Sequence, residues 1–436
     1  MRITKDSSHL HLNREYFPPG DKSISHRSIF LSALGENEVK IENFLFCDDC
    51  LRTINAFQKM GVNIKIEDEV VKVKGVGLRG LKPPPEAIYL GNSGTTARLL
   101  LGVLSAQQFE CELYGDRSLN ARPMERVTHP LSLMGAEFIF LEKEGYLPLR
   151  VSGGKLAGIE YKLPVASAQV KSALLLAGLY ASGRTVIIEP AKSRDHTERM
   201  LKEFGVDIKI DGLRIEVTAC EKISTEDIFV PGDISSAAFF IALALLLDDA
   251  YLVIRNVGIN PTRMGFIEAV KRMGGDVDVI PYKELKSGEP IGDIIVKSSQ
   301  LKAIEVRKEE IPLMIDELPL IFLLGCYAQG VTRIYSASEL RVKETDRINS
   351  VSANLNAMGG EIKVEGDDVI IYGNRRLKGA NLRSFGDHRT AMVAVIAAVI
   401  GDGESNIDDL ECVKISYPDF VSDVEKILDG KVKFKN

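Results

Sequence analysis

The chain has 436 residues, 45% of them hydrophobic and 27% charged, enough for two or more domains with substantial cores. Its net charge of −6 and pI near 5.7 argue against nucleic acid as the main partner. The longest apolar runs, Ala237 to Leu247 and Ala391 to Ile400, are too short to span a bilayer, and the first residues, Met1-Arg2-Ile3-Thr4-Lys5, form no signal-peptide segment. A cytoplasmic protein without a membrane partner is therefore expected. Six scattered cysteines fit reduced thiols better than a disulfide framework. Cys47 and Cys50 have zinc-like spacing but lack a second pair, so they read as structural and no metal site is expected.

The first informative stretch is Pro19-Gly20-Asp21-Lys22-Ser23-Ile24-Ser25-His26-Arg27, which opens onto an apolar helix. Ser23 or Ser25 is the expected cap. Helix N–H groups, the helix dipole, Lys22 and Arg27 would then face one point, a site for a phosphate or carboxylate.

Short apolar helix ends close on glycine five times, at Gly61, Gly135, Gly205, Gly274 and Gly359. Most are followed by alternating segments, such as Val62/Ile64/Ile66 then Val71/Val73, and Ile362/Val364 then Val369/Ile371. Period two over short segments predicts strand pairs. Between them lie more apolar, buried helices, starting at Ser25, Gly94, Ser167, Ser235, Glu317 and His388. Most run into a turn and a short strand, such as Val39–Ile41 or Val331–Ile334. Anchors at Ser23, Thr95, Ser167, Ser235, Asp316 and His388 are spaced by 72, 72, 68, 81 and 72 residues. One unit of helix, strand, helix, strand, strand therefore occurs six times in an α/β protein. The sixth copy is the weakest, ending at Ile427-Leu428-Asp429-Gly430.

The unusual residues follow the same period. They are Asp21-Lys22-Ser23 with Arg27; Gly91-Asn92-Ser93-Gly94-Thr95; Ser167-Ala168-Gln169; Gly232-Asp233-Ile234-Ser235; Asp316-Glu317; and Asp387-His388-Arg389. Capping explains the Ser and Asp residues but not Lys22, Gln169, His388 and Arg389. Positive helix ends gathered on an anionic ligand explain both.

Gly75-Val76-Gly77-Leu78-Arg79-Gly80 matches a dinucleotide fingerprint by letter, but Pro83-Pro84-Pro85 forbids the helix such a site needs. Arg117 and Arg122 lie in a loop suited either to bidentate anion binding or to solvation. His196, in Ser193-Arg194-Asp195-His196-Thr197-Glu198-Arg199, reads as structural, and Arg194 as either a ligand contact or a surface charge. In Leu340-Arg341-Val342-Lys343-Glu344-Thr345-Asp346-Arg347, Lys343 and Arg347 would share a helical face. Asp316, His388 and Glu344 are proton-transfer candidates.

Gly20-Asp21-Lys22-Ser23, Gly91-Asn92-Ser93-Gly94-Thr95, Arg122-Pro123, Ser167-Ala168-Gln169, Arg341 to Arg347 and Asp387-His388-Arg389 occur together and in this order. The whole chain thereby resembles the enolpyruvyl transferase family, in particular the branch acting on shikimate 3-phosphate. Ser167 to Lys171, Arg194 to Glu198 and Asn260-Pro261-Thr262-Arg263 resemble that branch's second class, which includes herbicide-tolerant members.

The resemblance implies two lobes of three repeats each, one from 19 to 232 and the other combining 1–18 with 233–436, with the active site in the cleft between them. It implies transfer of the enolpyruvyl group of phosphoenolpyruvate to the 5-hydroxyl of shikimate 3-phosphate, without metal or organic cofactor, in a monomer. Lys22, Ser23 and Arg27 would bind shikimate 3-phosphate, Lys22 also reaching phosphoenolpyruvate. Ser167, Ala168, Gln169 and Lys343 would hold the shikimate moiety and its phosphate, joined by Arg194. Gly94, Arg122, Arg347 and Arg389 would grip phosphoenolpyruvate. Asp316 would take the hydroxyl proton, with Glu344, Lys22 and His388 as further proton-transfer groups. Two positions depart from the family pattern: Lys414 is displaced by one residue from the family's C-terminal lysine, and Glu339 stands where many members have asparagine. Gly94 keeps the small residue that admits glyphosate, so inhibition by that compound is expected.

Overall fold

The computed structural model describes residues 1–5, 10–282 and 285–435. The chain divides into two compact units. One comprises Gly20–Pro231 with Glu284–Glu289, the other Met1–Pro19, Gly232–Lys283 and Pro290–Asn436. Ser287 and Glu289, expected with the second lobe, group with Gly20–Pro231. There Glu289 is fully buried, with Oε1 2.8 Å from His196 Nδ1. A buried carboxylate needs such a partner, and His196 supplies it. No described helix is long and apolar enough to cross a membrane.

Each unit has its own hydrophobic core, and both are built on the six buried helices. In the Gly20–Pro231 unit these are Lys22–Leu34, Gly94–Leu104 and Ala168–Gly178. In the other they are Ile234–Leu246, Leu318–Tyr327 and His388–Ile400. They are apolar around most of their circumference, as helices enclosed on all sides must be. In Ile234–Leu246 every residue from Ile234 to Leu245 is buried. The intervening helices, such as Asp48–Lys59 and Gly265–Arg272, bury one face only. Their ends turn on glycine in the left-handed region, as at Gly61 (φ 88°) and Gly359 (φ 93°), where a side chain would be strained.

Six four-stranded sheets are described, one per repeat. The expected strand pairs form: Asn63–Glu67 lies antiparallel to Val70–Lys74 with Ile64 opposite Val73, and Glu361–Glu365 antiparallel to Asp368–Tyr372 with Ile362 opposite Ile371. Each sheet also has a short strand parallel to the one after the buried helix, such as Ile88–Tyr89 beside Glu110–Tyr114. In four of the six sheets this strand has only two residues, too few to give alternation.

Two of these parallel strands are exchanged in chain order. His11–Tyr16 immediately precedes helix Lys22–Leu34, yet pairs with Asp249–Gly258 after helix Ile234–Leu246. Ile228–Phe229 precedes helix Ile234–Leu246, yet pairs with Glu38–Glu42 after helix Lys22–Leu34. The sixth repeat looked weak because its last strand comes from the other end of the chain. Arg2–Lys5 lies between Ser405–Ile407 and Val432–Lys435, antiparallel to both.

Candidate active site

In the Gly20–Pro231 unit the starts of the three buried helices are joined side chain to side chain. Asp21, not Ser23 or Ser25, caps the first: its Oδ1 accepts from Ile24 N at 2.9 Å. Lys22 and Ser23 therefore occupy the first turn, where N–H groups have no intrahelical acceptor. Lys22 Nζ donates to Asp49 Oδ2 at 2.8 Å. Arg27, one turn on, is buried and donates to Thr197 Oγ1 (2.7 Å), Ser172 Oγ (2.8 Å) and the Ser23 carbonyl (2.9 Å). Burial lowers its pKa to about 10, against the pull of Glu198 and Asp21.

Ser93 caps the second helix, accepting from Thr96 N at 3.3 Å, so Gly94 is its first residue. A Cβ at Gly94 would lie 2.8 Å from an Arg98 terminal nitrogen and 3.3 Å from one of Arg122. Arg122 is held by the Asn92 side chain and by Ser118 Oγ at 3.2 Å. Ser167 caps the third helix through Val170 N at 3.4 Å, which sets Ala168 and Gln169 in its first turn. Gln169 accepts from Arg98 at 2.7 Å and donates to Thr95 Oγ1 at 2.9 Å. Arg194 is half-buried in the turn before helix His196–Glu203.

The other unit repeats this plan with buried arginines paired to carboxylates. Arg347, the largest fully buried side chain described, donates to Asp387 Oδ2 (2.9 Å), Asp316 Oδ1 (3.3 Å) and Glu344 Oε2 (2.5 Å). Burial pushes its pKa down, but Asp387, Glu344 and Asp316 together outweigh that and hold the guanidinium above its usual range. Asp387 also caps helix His388–Ile400, accepting from Arg389 N at 2.8 Å and Thr390 N at 3.1 Å. His388 and Arg389 are thereby fixed and buried in that first turn. Arg389 donates to the Ser235 carbonyl at 3.4 Å and lies over the Phe239 ring, 5.8 Å from its centroid. Asp233 caps helix Ile234–Leu246. Arg263 ties Ser235 Oγ (2.5 Å) to Asp233 (3.3 Å) and Glu317 (3.7 Å).

Lys343 and Arg347 do not share a helix. The 3₁₀ turn Ser338–Val342 ends at Lys343, and a new helix, capped by Asp346, begins at Arg347. Four residues of separation give a common face only within one helix. Lys414 is exposed and paired with Glu411 at 2.7 Å. Glu339 is half-buried in the same 3₁₀ turn that ends at Lys343. Asp49, Asn92, Arg98 and Arg263 contact site residues, yet sequence reasoning gives none of them a site role of its own, although Asn92 and Arg263 lie in motifs named above. An acid in the first turn of an amphipathic helix was the available signal for Asp49, and it reads the same as an ordinary dipole-compensating residue.

Six α-β-α-β-β repeats whose buried helices start with cations, carboxylates and hydroxyls form the scaffold of an enolpyruvyl transferase. The enolpyruvyl transferase NikO from Streptomyces tendae matches the fold with a TM-score of 0.80 over 99% of this chain and 98% of its own, at 19% identity. The family model for EPSP synthase (3-phosphoshikimate 1-carboxyvinyltransferase) matches residues 10–424. The 3-phosphoshikimate 1-carboxyvinyltransferase of Endomicrobium trichonymphae is 50% identical over 92% of this chain and 94% of its own. That of Bacillus subtilis is 46% identical over 95% and 97%. The EPSP synthase of Acinetobacter baumannii superposes with a TM-score of 0.88 over the full length of both chains, at 42% identity. The chain belongs to the EPSP synthase family, transferases of the shikimate pathway.

Proposed function

We infer that this enzyme transfers the enolpyruvyl group of phosphoenolpyruvate to the 5-hydroxyl of shikimate 3-phosphate through the residues gathered at its six buried helix starts. The reading is carried by family membership across residues 10–424. It is supported by the chemistry of those helix starts. Both substrates are polyanions. Lys22, Arg27, Arg122, Arg194, Lys343, Arg347 and Arg389 supply the compensating charge in a chain whose net charge is −6.

In this reading Lys22, Ser23, Arg27, Ser167, Ala168, Gln169, Arg194 and Lys343 hold shikimate 3-phosphate. Gly94, Arg122, Arg347 and Arg389, with Lys22, hold phosphoenolpyruvate. Asp316 removes the 5-hydroxyl proton as that oxygen attacks C2 of phosphoenolpyruvate. Glu344, Lys22 or His388 delivers a proton to the methylene carbon. The resulting tetrahedral adduct loses a proton from that carbon and expels phosphate, restoring the enol ether double bond. Arg347 binds both Asp316 and Glu344, so one guanidinium fixes two of the proton-transfer groups. No metal or organic cofactor takes part, and the enzyme acts as a cytoplasmic monomer.

The test is phosphate release from phosphoenolpyruvate with shikimate 3-phosphate, with UDP-N-acetylglucosamine, or with neither. Release only with shikimate 3-phosphate is expected. Release with the nucleotide sugar instead, or binding without release, would overturn the assignment. Sedimentation at other than 48.0 kDa would overturn the monomer.

A further inference from the structure

His26 lies one turn into helix Lys22–Leu34 and is fully buried. Its Nδ1 is 2.7 Å from Thr53 Oγ1, and Thr53 Oγ1 is 2.7 Å from Thr96 Oγ1. Thr96 Oγ1 lies 2.7 Å from Ser93 Oγ and donates to the Asp49 carbonyl at 3.4 Å.

Each hydroxyl has a single proton, and a carbonyl can only accept. With the Thr96 proton on Asp49 O, Thr53 and Ser93 must both donate to Thr96 Oγ1. The Thr53 proton is then committed, so Thr53 can only accept from the ring. In that arrangement His26 carries its proton on Nδ1. Its Nε2 is left as a bare lone pair, and that atom has no partner among the described residues. Burial, then the nearby Lys22 and Arg27 charges, keeps the imidazole neutral, as a single-proton ring requires.

The chain thus runs one way, from His26 through Thr53 and Thr96 to the backbone of Asp49, whose carboxylate holds Lys22 Nζ at 2.8 Å. Ser93, the other donor to Thr96, caps the helix that begins at Gly94. We propose that His26 is a positioning residue. Through two buried hydroxyls it fixes the backbone of Asp49, and so the carboxylate that orients Lys22. This rests on the reading that Lys22 contacts the substrates. Directed chains of this kind reinforce one another in a dry interior and set the orientation of the groups they end on.

The amide nitrogen of asparagine reaches the place of Nδ1, and that of glutamine the place of Nε2. His26→Asn should therefore keep kcat within about twofold, while His26→Gln and Thr53→Val should lower kcat about tenfold with smaller changes in KM. Nitrogen-15 NMR of histidine-labelled wild-type enzyme, with the His26 signal identified by its loss in His26→Asn, should show a neutral Nδ1–H ring. An Nε2–H ring, or equal losses in the Asn and Gln variants with matched thermal unfolding, would overturn the proposal. Full activity in Lys22→Ala would instead overturn the role of Lys22 and leave the ring assignment standing.

Discussion

Arg347 donates from Nε to Asp387 Oδ2 at 2.9 Å, while the other oxygen of Asp387 accepts from two backbone N–H groups of the next helix. One carboxylate thus anchors a buried guanidinium and the helix start that carries His388 and Arg389. Asp387→Ala removes a cap, worth about 1 kcal/mol. It also takes one of three carboxylates from a buried cation, and breaking such pairs costs about 3–5 kcal/mol. Urea unfolding should show a loss of that order. Glu404→Ala, at an exposed pair with Arg2, should cost about 1 kcal/mol or less. Equal shifts in the two variants would refute the structural role of Asp387.

Asp316 sits on the same guanidinium and stays partly accessible, with 19% of its side chain exposed. Asp316→Asn keeps the shape and removes the carboxylate proposed as the base. It should lower kcat by about a hundredfold or more while KM for shikimate 3-phosphate changes little. Parallel losses in turnover and binding would argue that Asp316 only holds Arg347.

A Cβ added at Gly94 would displace the guanidinium ends of Arg98 and Arg122 rather than any backbone. Gly94→Ala should raise KM for phosphoenolpyruvate about tenfold or more with unchanged thermal unfolding. Wild-type enzyme should be inhibited by glyphosate in competition with phosphoenolpyruvate. Unaltered turnover under a large excess of the compound would refute this.

Stability should fall on both sides of neutrality for identifiable reasons. Burial raises the thiols of Cys111, Cys326 and Cys412 to about 12 from 9.0. Unfolded thiols therefore lose protons first, and the stabilisation present below pH 9.0 declines as pH rises toward 12. Urea midpoints at about pH 8 and about pH 10.5 should differ less once all three cysteines are replaced by alanine. Burial, Lys22 and Arg27 hold His26 well below 6.5, so the unfolded chain takes up its proton first and stability is lost as pH falls below 6.5. His26→Asn should reduce the drop in urea midpoint between about pH 7 and about pH 5. An unchanged drop would refute the buried neutral ring.

The sequence alone determined the six-fold repeat and most helix and strand positions, because periodicity, capping and glycine stops act over a few neighbouring residues. It also marked the helix starts where Lys22, Gln169, His388 and Arg389 lie, since capping does not account for those residue types. Tertiary structure decided which partner each one meets. Arg347 reads as one charge among many in Arg341 to Arg347, and only folding brings Asp316 and Asp387 to it from 31 and 40 residues away. Asp49 and His26 look like an ordinary first-turn acid and a core histidine until Lys22, Thr53 and Thr96 are placed beside them. Contacts of that range depend on the packing of whole helices, and no local pattern encodes them. The same holds for Arg2–Lys5, which completes a sheet whose other strands lie at the far end of the chain.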